Sequence, residues 1–125
     1  LLKNLAFQKI PNYYKEADCL MVSLRNKKYL NMTIPSKLQN YLSAKKPILS
    51  ICGGETKKII EQNNCGLSID NMSIEKMSYE IFLFSKKNKK TLNNMSRRGY
   101  KFFKKNFEIN SSKIKFYHIL NNEKI

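Results

Sequence analysis

Short apolar runs alternate with longer segments of helical spacing in the first half of this chain. Apolar runs of strand length cover residues 19–24, 47–51 and 65–69. The run at 19–24 is continuous, which is typical of a strand that is covered on both faces. Helical spacing covers residues 35–44 and 55–63, which separate the three runs. Strand, helix, strand, helix, strand is the repeating unit of a parallel sheet, so the pattern predicts an α/β fold.

The segments outside this unit favour helices. Helical spacing predicts four of them, at residues 10–17, 73–86, 91–106 and 110–122. Residues 5–7 are expected to end a strand, and residues 25–32 to form a polar loop. The apolar side chains of the tail could lie in the core or could stack on nucleic-acid bases. Their helical spacing favours the core for Phe102, Phe103, Phe107, Phe116, Ile119 and Leu120.

The helix predicted at 35–44 has one apolar and one polar face. Pro35 suits the first position of a helix, where a missing N–H costs nothing. The apolar face combines Ile34, Leu38, Tyr41 and Leu42, and the polar face combines Ser36, Lys37 and Asn40. The amides of the first turn, beside the Ser36 hydroxyl and the Lys37 ammonium, suit an anion such as phosphate. A solvated helix face is the alternative interpretation.

The loops that follow the predicted strands are candidates for a binding site. Ligands in parallel sheets bind outside the carboxyl ends of the strands. Here these ends lead into residues 25–33 and 52–55, and the second loop contains Gly53, Gly54 and Glu55. The sequence therefore predicts a site at this edge of the sheet.

The charge is the most unusual bulk property of the chain. The 125 residues carry a net charge of +15, and residues 86–115 hold eleven basic residues against the single acid Glu108. Such a field attracts nucleic acid, anionic lipid headgroups or phosphorylated substrates without choosing among them. A coding bias toward lysine and asparagine is the alternative explanation. The length predicts one domain, and 42% hydrophobic residues are ordinary for a globular protein.

Several site classes have little support in this composition. Cys19, Cys52 and Cys65 are far apart and odd in number, which argues against a disulfide framework or a structural zinc site and predicts buried free thiols. The single histidine, His118, lies in a lysine-rich helical pattern and is interpreted as structural. The apolar runs are too short to span a bilayer, and the N-terminus lacks the layout of a secretory signal, so a soluble cytosolic protein is expected.

Seven short motifs follow one another along nearly the whole chain. They are Ala17-Asp18, Ser23-Leu24-Arg25, Thr33-Ile34-Pro35-Ser36-Lys37-Leu38, Tyr41-Leu42 with Lys46-Pro47-Ile48-Leu49, Gly53-Gly54-Glu55, Cys65-Gly66-Leu67, and Arg97-Arg98-Gly99-Tyr100 ending at Phe107. Together they resemble the C-terminal half of a family 4 glycosyltransferase. The Pro-Ser-Lys-Leu helix start is most similar to that of the bacterial surface-polysaccharide members, which make O-antigen or capsule.

This resemblance implies a fold and a chemistry. Family 4 enzymes have the GT-B architecture, in which two Rossmann-like domains enclose the active site, and their C-terminal domain binds the nucleotide-sugar donor. The expected fold is therefore a Rossmann-like parallel sheet flanked by helices, with a helical C-terminal tail, over residues 1–125. Transfer in the family retains the anomeric configuration without a metal, because helix amides and basic side chains take the diphosphate charge. No cofactor is expected.

The resemblance also implies a set of donor-binding residues. They are Arg25, Met32, Thr33, Ser36, Lys37, Asn40, Gly53, Gly54 and Glu55. Lys37 and Arg25 would add positive charge at the diphosphate, and Asn40 would face the nucleoside. Family members usually carry glutamates where this chain has Met32 and Asn40. Asn40 can still hydrogen-bond a ribose, but the Met32 thioether cannot replace a carboxylate.

The expected parent reaction moves a hexosyl or N-acetylhexosaminyl group from a nucleotide sugar, with UDP-sugar expected, to a lipid-linked glycan. Because the chain begins inside the second domain of the family pattern, it is expected to be inactive alone. Lys101, Lys104 and Lys105 belong to a basic surface expected to face the anionic inner side of the cytoplasmic membrane. The alternatives are a basic nucleic-acid-binding module, with less support because no recognition motif is present, and a non-catalytic partner subunit.

Overall fold

The computed structural model describes residues 6–25 and 27–121, which form an α/β unit with a parallel sheet. The strands are β1 (Leu20–Ser23), β2 (Ile48–Ile51) and β3 (Gly66–Ile69). A 3-10 turn (Phe7–Lys9) precedes the helices, which are α1 (Ile10–Glu16), α2 (Lys28–Asn31), α3 (Ser36–Ser43), α4 (Gly54–Gln62), α5 (Ile74–Ser85), α6 (Lys89–Asn106) and α7 (Ile109–Leu120). The predicted fold class, a parallel sheet flanked by helices with a helical tail, is confirmed.

The sheet has the strand order β1-β2-β3, and all pairs are parallel. Leu20 pairs with Ile48 and Val22 with Ser50, and these side chains share one buried face. Met21 points to the opposite face and is 55% exposed. The prediction that the first strand is covered on both faces is therefore wrong, because β1 lies at the edge of the sheet and only one of its faces is packed.

The core lies on the covered face of the sheet. Val22 and Ile48 form one buried cluster with Leu38 and Leu42 of α3. Ile59 and Ile60 of α4 also belong to it, as their spacing predicted, and so does Cys65. Gly99 lets α6 approach this cluster closely: a Cβ at this position would lie 3.0 Å from Leu42 Cδ2 and 3.1 Å from Cys65 Cβ. The core thus packs α3 and α6 together with β1 and β2, the strands that precede and follow α3 in the chain.

The start of α3 differs slightly from the prediction. Pro35 has extended backbone and occupies the N-cap position, so the helix begins one residue later, at Ser36. Leu38 and Leu42 are fully buried, but Ile34 is exposed because it precedes the helix and does not join its packed face. Within the predicted polar loop, residues 28–31 form the short helix α2. Phe7 begins the 3-10 turn instead of ending a strand, and Leu5 and Asn122 lie outside the described residues.

The apolar side chains of the tail divide between core and surface. Phe102, Phe103 and Phe107 pack against the core cluster, which confirms their prediction. Phe116, Ile119 and Leu120 are exposed, so the prediction that they lie in the core is wrong. The physical reason is that polar groups attach α7 to α6: the Ser111 hydroxyl donates to the Lys104 carbonyl at 2.7 Å, and Lys115 Nζ donates to Asn106 Oδ1 at 3.2 Å.

The three cysteines are free thiols. Cys52 and Cys65 are buried as predicted, whereas Cys19 is half-buried. Burial removes water from the thiolate, and this desolvation raises the pKa of Cys19 and of Cys65 from 9.0 to about 11. The thiols are therefore poorly nucleophilic in the folded chain.

Thiol labelling tests whether the folded chain protects Cys65. At pH 8, a pKa higher by two units lowers the thiolate fraction by about 100-fold, so iodoacetamide should label Cys65 at least about 100 times more slowly in the native chain than in urea. Mass spectrometry after timed quenching measures the two rates. Equal rates would contradict a buried Cys65.

Candidate functional site

Three loops meet at the carboxyl edge of the sheet. The Leu24 N–H, just after β1, donates to the Ile51 carbonyl at the end of β2, at 3.2 Å. Asp70 follows β3 directly, and a Cβ on Gly53 would lie 2.9 Å from Asp70 Oδ2. Lys57 Nζ lies 3.8 Å from the same oxygen. The Gly53 backbone and the Asp70 carboxylate are thus in contact at this edge.

Gly54 fixes α2 against the N-terminus of α4. Its φ is +65°, in the left-handed region that favours glycine. A Cβ at Gly54 would lie 1.9 Å from the Asn31 carbonyl oxygen, at the end of α2. No other residue type fits there without a backbone shift, so the Gly53-Gly54 turn holds the loop after β1 in place.

The remaining residues expected at this edge are exposed or half-buried. Met32 is 72% exposed, and the Thr33 hydroxyl donates to the Leu30 carbonyl at 2.9 Å, which terminates α2. Arg25 is exposed in the loop after β1. The half-buried Glu55 pairs with Lys58 Nζ at 2.6 Å, within the first turns of α4. Glu55 therefore already has a cationic partner on its own helix.

Two other expected residues line a groove of about 590 Å³ between α1 and α3. Lys37 and Asn40 form its α3 side, together with Ser43, Ala44 and Lys45. The α1 side consists of Ile10, Pro11, Tyr14 and Lys15. We call this space the α1–α3 groove. Most of its wall is apolar, and the charged groups on it are cationic, which suits a ligand that combines a flat apolar part with an anionic part.

Contacts across the helices hold the groove in shape. The Tyr14 ring packs edge-on against Tyr41 of α3, with the centroids 5.3 Å apart. Lys46 Nζ donates to the Lys15 carbonyl near the end of α1, at 2.7 Å. At the far end, Lys45 Nζ lies 4.2 Å from the centroid of the Tyr100 ring on α6. Tyr14, Lys15 and Lys45, which line the groove, are therefore each held by a contact with another part of the fold.

The nine expected donor-site residues thus fall into two neighbouring groups. Lys37 and Asn40 lie in the α1–α3 groove, whereas six residues lie around the carboxyl edge: Arg25, Met32, Thr33, Gly53, Gly54 and Glu55. Ser36 joins the groups, because it is the exposed first residue of α3. Along the α3 axis, Ser36 lies about 6 Å from Asn40.

The first turns of α3 and α4 offer backbone donors near both groups. No side chain caps either N-terminus. In α3 the Leu38 N–H donates to the Pro35 carbonyl at 3.0 Å, which leaves the Ser36 and Lys37 amides without an acceptor inside the helix. These amides and the Lys37 ammonium provide positive charge on one side of α3.

Sequence reasoning missed Tyr14, Lys15 and Asp70 as site residues. Asp70 carried a usable signal, since it follows a buried strand at the edge where ligands bind. Tyr14 and Lys15 carried none, because nothing local indicates that α1 packs beside α3.

Within residues 6–25 and 27–121, no helix has the length and apolar character needed to cross a bilayer. The same residues contain no cluster of three or more His, Cys, Asp and Glu side chains suited to a metal ion. Comparison of the chain with protein-family models, with curated proteins and with solved structures found no match.

Proposed function

We propose that this chain is the donor-binding part of a retaining family 4 glycosyltransferase. The intact protein would transfer a hexosyl or N-acetylhexosaminyl group from a UDP-sugar to a lipid-linked glycan in bacterial surface-polysaccharide biosynthesis. One observation carries the proposal: Lys37 and Asn40, which the sequence resemblance assigns to the donor, line one groove together with the aromatic side chain of Tyr14.

The groove chemistry supports a nucleoside. Tyr14, Pro11 and Ile10 offer a largely apolar wall for the face of a base. Asn40 is exposed on α3, and its amide can both donate to and accept from a ribose hydroxyl. An apolar wall for the base beside a neutral amide for the sugar is the combination that a nucleoside requires.

The diphosphate would bind toward the N-terminal end of α3. Lys37 supplies a full positive charge, and the Ser36 and Lys37 amides supply donors without acceptors in the helix. In the transfer, the acceptor hydroxyl oxygen bonds to the anomeric carbon, and its proton passes to the departing diphosphate. The bond from that carbon to the β-phosphate oxygen breaks, and its electron pair leaves with the nucleoside diphosphate. Positive charge at the diphosphate stabilises this leaving group.

The intact protein would work in the cytoplasm at the inner face of the membrane, where its acceptor is held. Attraction to anionic headgroups would come from the basic surface that includes Lys101, Lys104 and Lys105. Lys104 pairs with Glu108, the N-cap residue of α7, so Lys101 and Lys105 contribute more to this attraction.

UDP binding tests the donor site directly. Calorimetric titration of the chain with UDP at low and moderate salt should give saturable binding. Changing Lys37 and Asn40 together to alanine should weaken it by at least about tenfold, because one charge-assisted contact and one ribose contact are lost.

The matched control changes Lys90 and Asn93 to alanine. These residues have the same spacing on the exposed side of α6, away from the groove. Removing these two side chains should change the UDP affinity by less than about twofold, because the Lys90 charge is far from the groove and is screened by salt. Equal loss in both variants would refute the groove as the nucleotide site.

The two alternatives give other results in the same experiment. A nucleic-acid-binding module would bind single-stranded DNA with a steep salt dependence and would not bind UDP. A non-catalytic partner subunit is favoured by the exposed thioether of Met32, which offers no carboxylate near the donor sugar. Such a subunit would bind UDP, and restoring glutamate at position 32 in the intact protein would not raise transfer.

A further inference from the structure

A second groove, of about 570 Å³, lies between the end of α4 and the C-terminal half of α6. Its α4 side is formed by Gln62, Asn63 and Asn64, and its α6 side by Arg98, Lys101, Phe102, Lys105 and Asn106. We call it the α4–α6 groove. Because α4 begins at the carboxyl edge and ends just before β3 begins, this groove lies at the opposite edge of the sheet. The nine residues of α4 separate it from Gly54 by about 13 Å.

The charged groups that line the α4–α6 groove are all cationic. Arg98, Lys101 and Lys105 follow the spacing that places side chains on one face of a helix. In the described part of the chain, the ion pairs to Asp and Glu are made by Lys57, Lys58 and Lys104, and none of these lines the groove. A fourth cation lies at its margin, since Lys115 Nζ donates to Asn106 Oδ1 at 3.2 Å. The cluster concentrates positive charge, and the like charges repel one another.

Local hydrogen bonds fix the geometry of this cluster. Arg98 Nε donates to the Asn64 carbonyl at 2.8 Å, which holds the guanidinium at the groove and leaves its terminal N–H groups to a ligand. Asn64 has a φ of +46°, and this turn directs the chain from α4 into β3. Asn63 Nδ2 donates to the Ile59 carbonyl at 2.8 Å, and Asn106 Nδ2 to the Phe102 carbonyl at 3.0 Å. These two amides are thus held by their own helices.

The helix ends at the groove do not cancel its charge. The C-termini of α4 and α6 both lie at the groove, and each carries about half of a negative elementary charge. Arg98, Lys101 and Lys105 carry three full positive charges between them, so the groove stays strongly positive. The groove is also much larger than a single phosphate group, and the half-buried ring of Phe102 gives it an apolar floor. It therefore suits an anion that is attached to an organic group.

We propose that the α4–α6 groove binds a phosphate ester. Arg98 would engage the phosphate oxygens through its planar fork, and Lys101 and Lys105 would neutralise the remaining charge. The organic part of the ligand would lie over Phe102. This phosphate ester belongs to a soluble metabolite or to a lipid headgroup. The site is independent of the proposed donor site, because it lies at the other edge of the sheet and shares no residue with it.

The test uses the full 125-residue chain, labelled with ¹⁵N, and two matched pairs of probes. The soluble pair is glycerol 1-phosphate and glycerol, followed by amide chemical shifts. The membrane pair is vesicles of phosphatidylcholine with and without phosphatidic acid, followed by co-sedimentation. Glycerol 1-phosphate should give saturable shifts at Asn63, Asn64 and Lys101, and glycerol should give none.

Charge-matched variants separate the groove from the general positive field. Changing Lys101 and Lys105 to glutamine should weaken phosphate binding by about tenfold, since both cations contact the ligand. Changing Lys87 and Lys90 to glutamine removes the same charge from exposed positions outside the groove, and should alter the affinity by less than about twofold.

Each result supports or overturns the site. Selective loss with glycerol 1-phosphate supports a soluble phosphate ester, and selective loss only with phosphatidic acid vesicles supports a lipid headgroup. Equal loss in the two double variants overturns the proposal, as does the absence of binding to both probes. Shifts confined to Ser36, Lys37 and Gly54 would also overturn it and would leave the donor site standing. A chain that binds phosphate in the α4–α6 groove but does not bind UDP would overturn only the donor site.

Discussion

Replacing Gly54 by alanine should lower the free energy of unfolding by at least about 3 kcal/mol. Two effects combine. Gly54 has a φ of +65°, a conformation that costs an L side chain about 1–2 kcal/mol. The new methyl group would also lie 1.9 Å from the Asn31 carbonyl oxygen, so α2 or the start of α4 must move. Urea unfolding followed by circular dichroism measures the loss.

The neighbouring glycine provides the control. Gly53 has a φ of −92°, which any residue adopts, and the three atoms nearest to its added Cβ all belong to the Asp70 carboxyl group. That side chain can rotate away, so Gly53→Ala should cost less than about 1 kcal/mol. Equal losses for the two variants would contradict the close contact between α2 and α4. A selective loss at Gly54 would mean that the loop after β1 depends on this one backbone contact.

Truncating Leu42 should cost about 2–5 kcal/mol, whereas the same change at Leu120 should cost less than about 0.5 kcal/mol. Leu42 is 0% exposed between the sheet and α6, so Leu42→Ala removes buried methyl groups and leaves a cavity. Leu120 is 65% exposed on α7, so Leu120→Ala removes few contacts. The two leucines form a matched pair, because the chemical change is identical. Chemical unfolding of both variants measures the difference.

The pair also tests the orientation of α7. A loss above about 2 kcal/mol for Leu120→Ala would mean that the apolar side of α7 packs within this chain. A negligible loss would mean that this side, which includes Ile109, Phe116 and Leu120, is available to another surface of the intact protein. Light scattering on a Phe116→Ser, Leu120→Ser variant then reports whether these side chains cause self-association of the isolated chain.

The tail shows why amphipathic spacing predicts burial only in part. Phe102, Phe103 and Phe107 pack against the core, whereas Phe116 and Leu120 have similar spacing and point outward. Spacing shows that the apolar side chains of a helix share one face. It does not show which neighbour covers that face, because the neighbour comes from a distant part of the chain. In α7, hydrogen bonds from Ser111 and Lys115 turn the polar side inward.

The candidate site shows the same division between local and long-range information. The polar face of α3, with Lys37 and Asn40, could be predicted because it depends only on residues within two helical turns. The α1–α3 groove could not, because its other wall comes from α1, more than 20 positions earlier. In the α4–α6 groove, Asn64 contacts Arg98, which lies 34 positions later in the chain. Nothing local in the sequence therefore separates the basic residues that line this groove from the other basic residues of the tail.

By itself, the sequence determined the order of the three strands and the longer helices, the parallel α/β class and the inward faces of α3 and α4, because periodicity and turn residues are local properties. Only the tertiary structure decided that β1 has one open face, that Gly54 lies against Asn31, and that Lys101 and Lys105 line a groove whereas Lys104 pairs with Glu108. These features depend on packing between distant segments, and local spacing carries no information about such contacts.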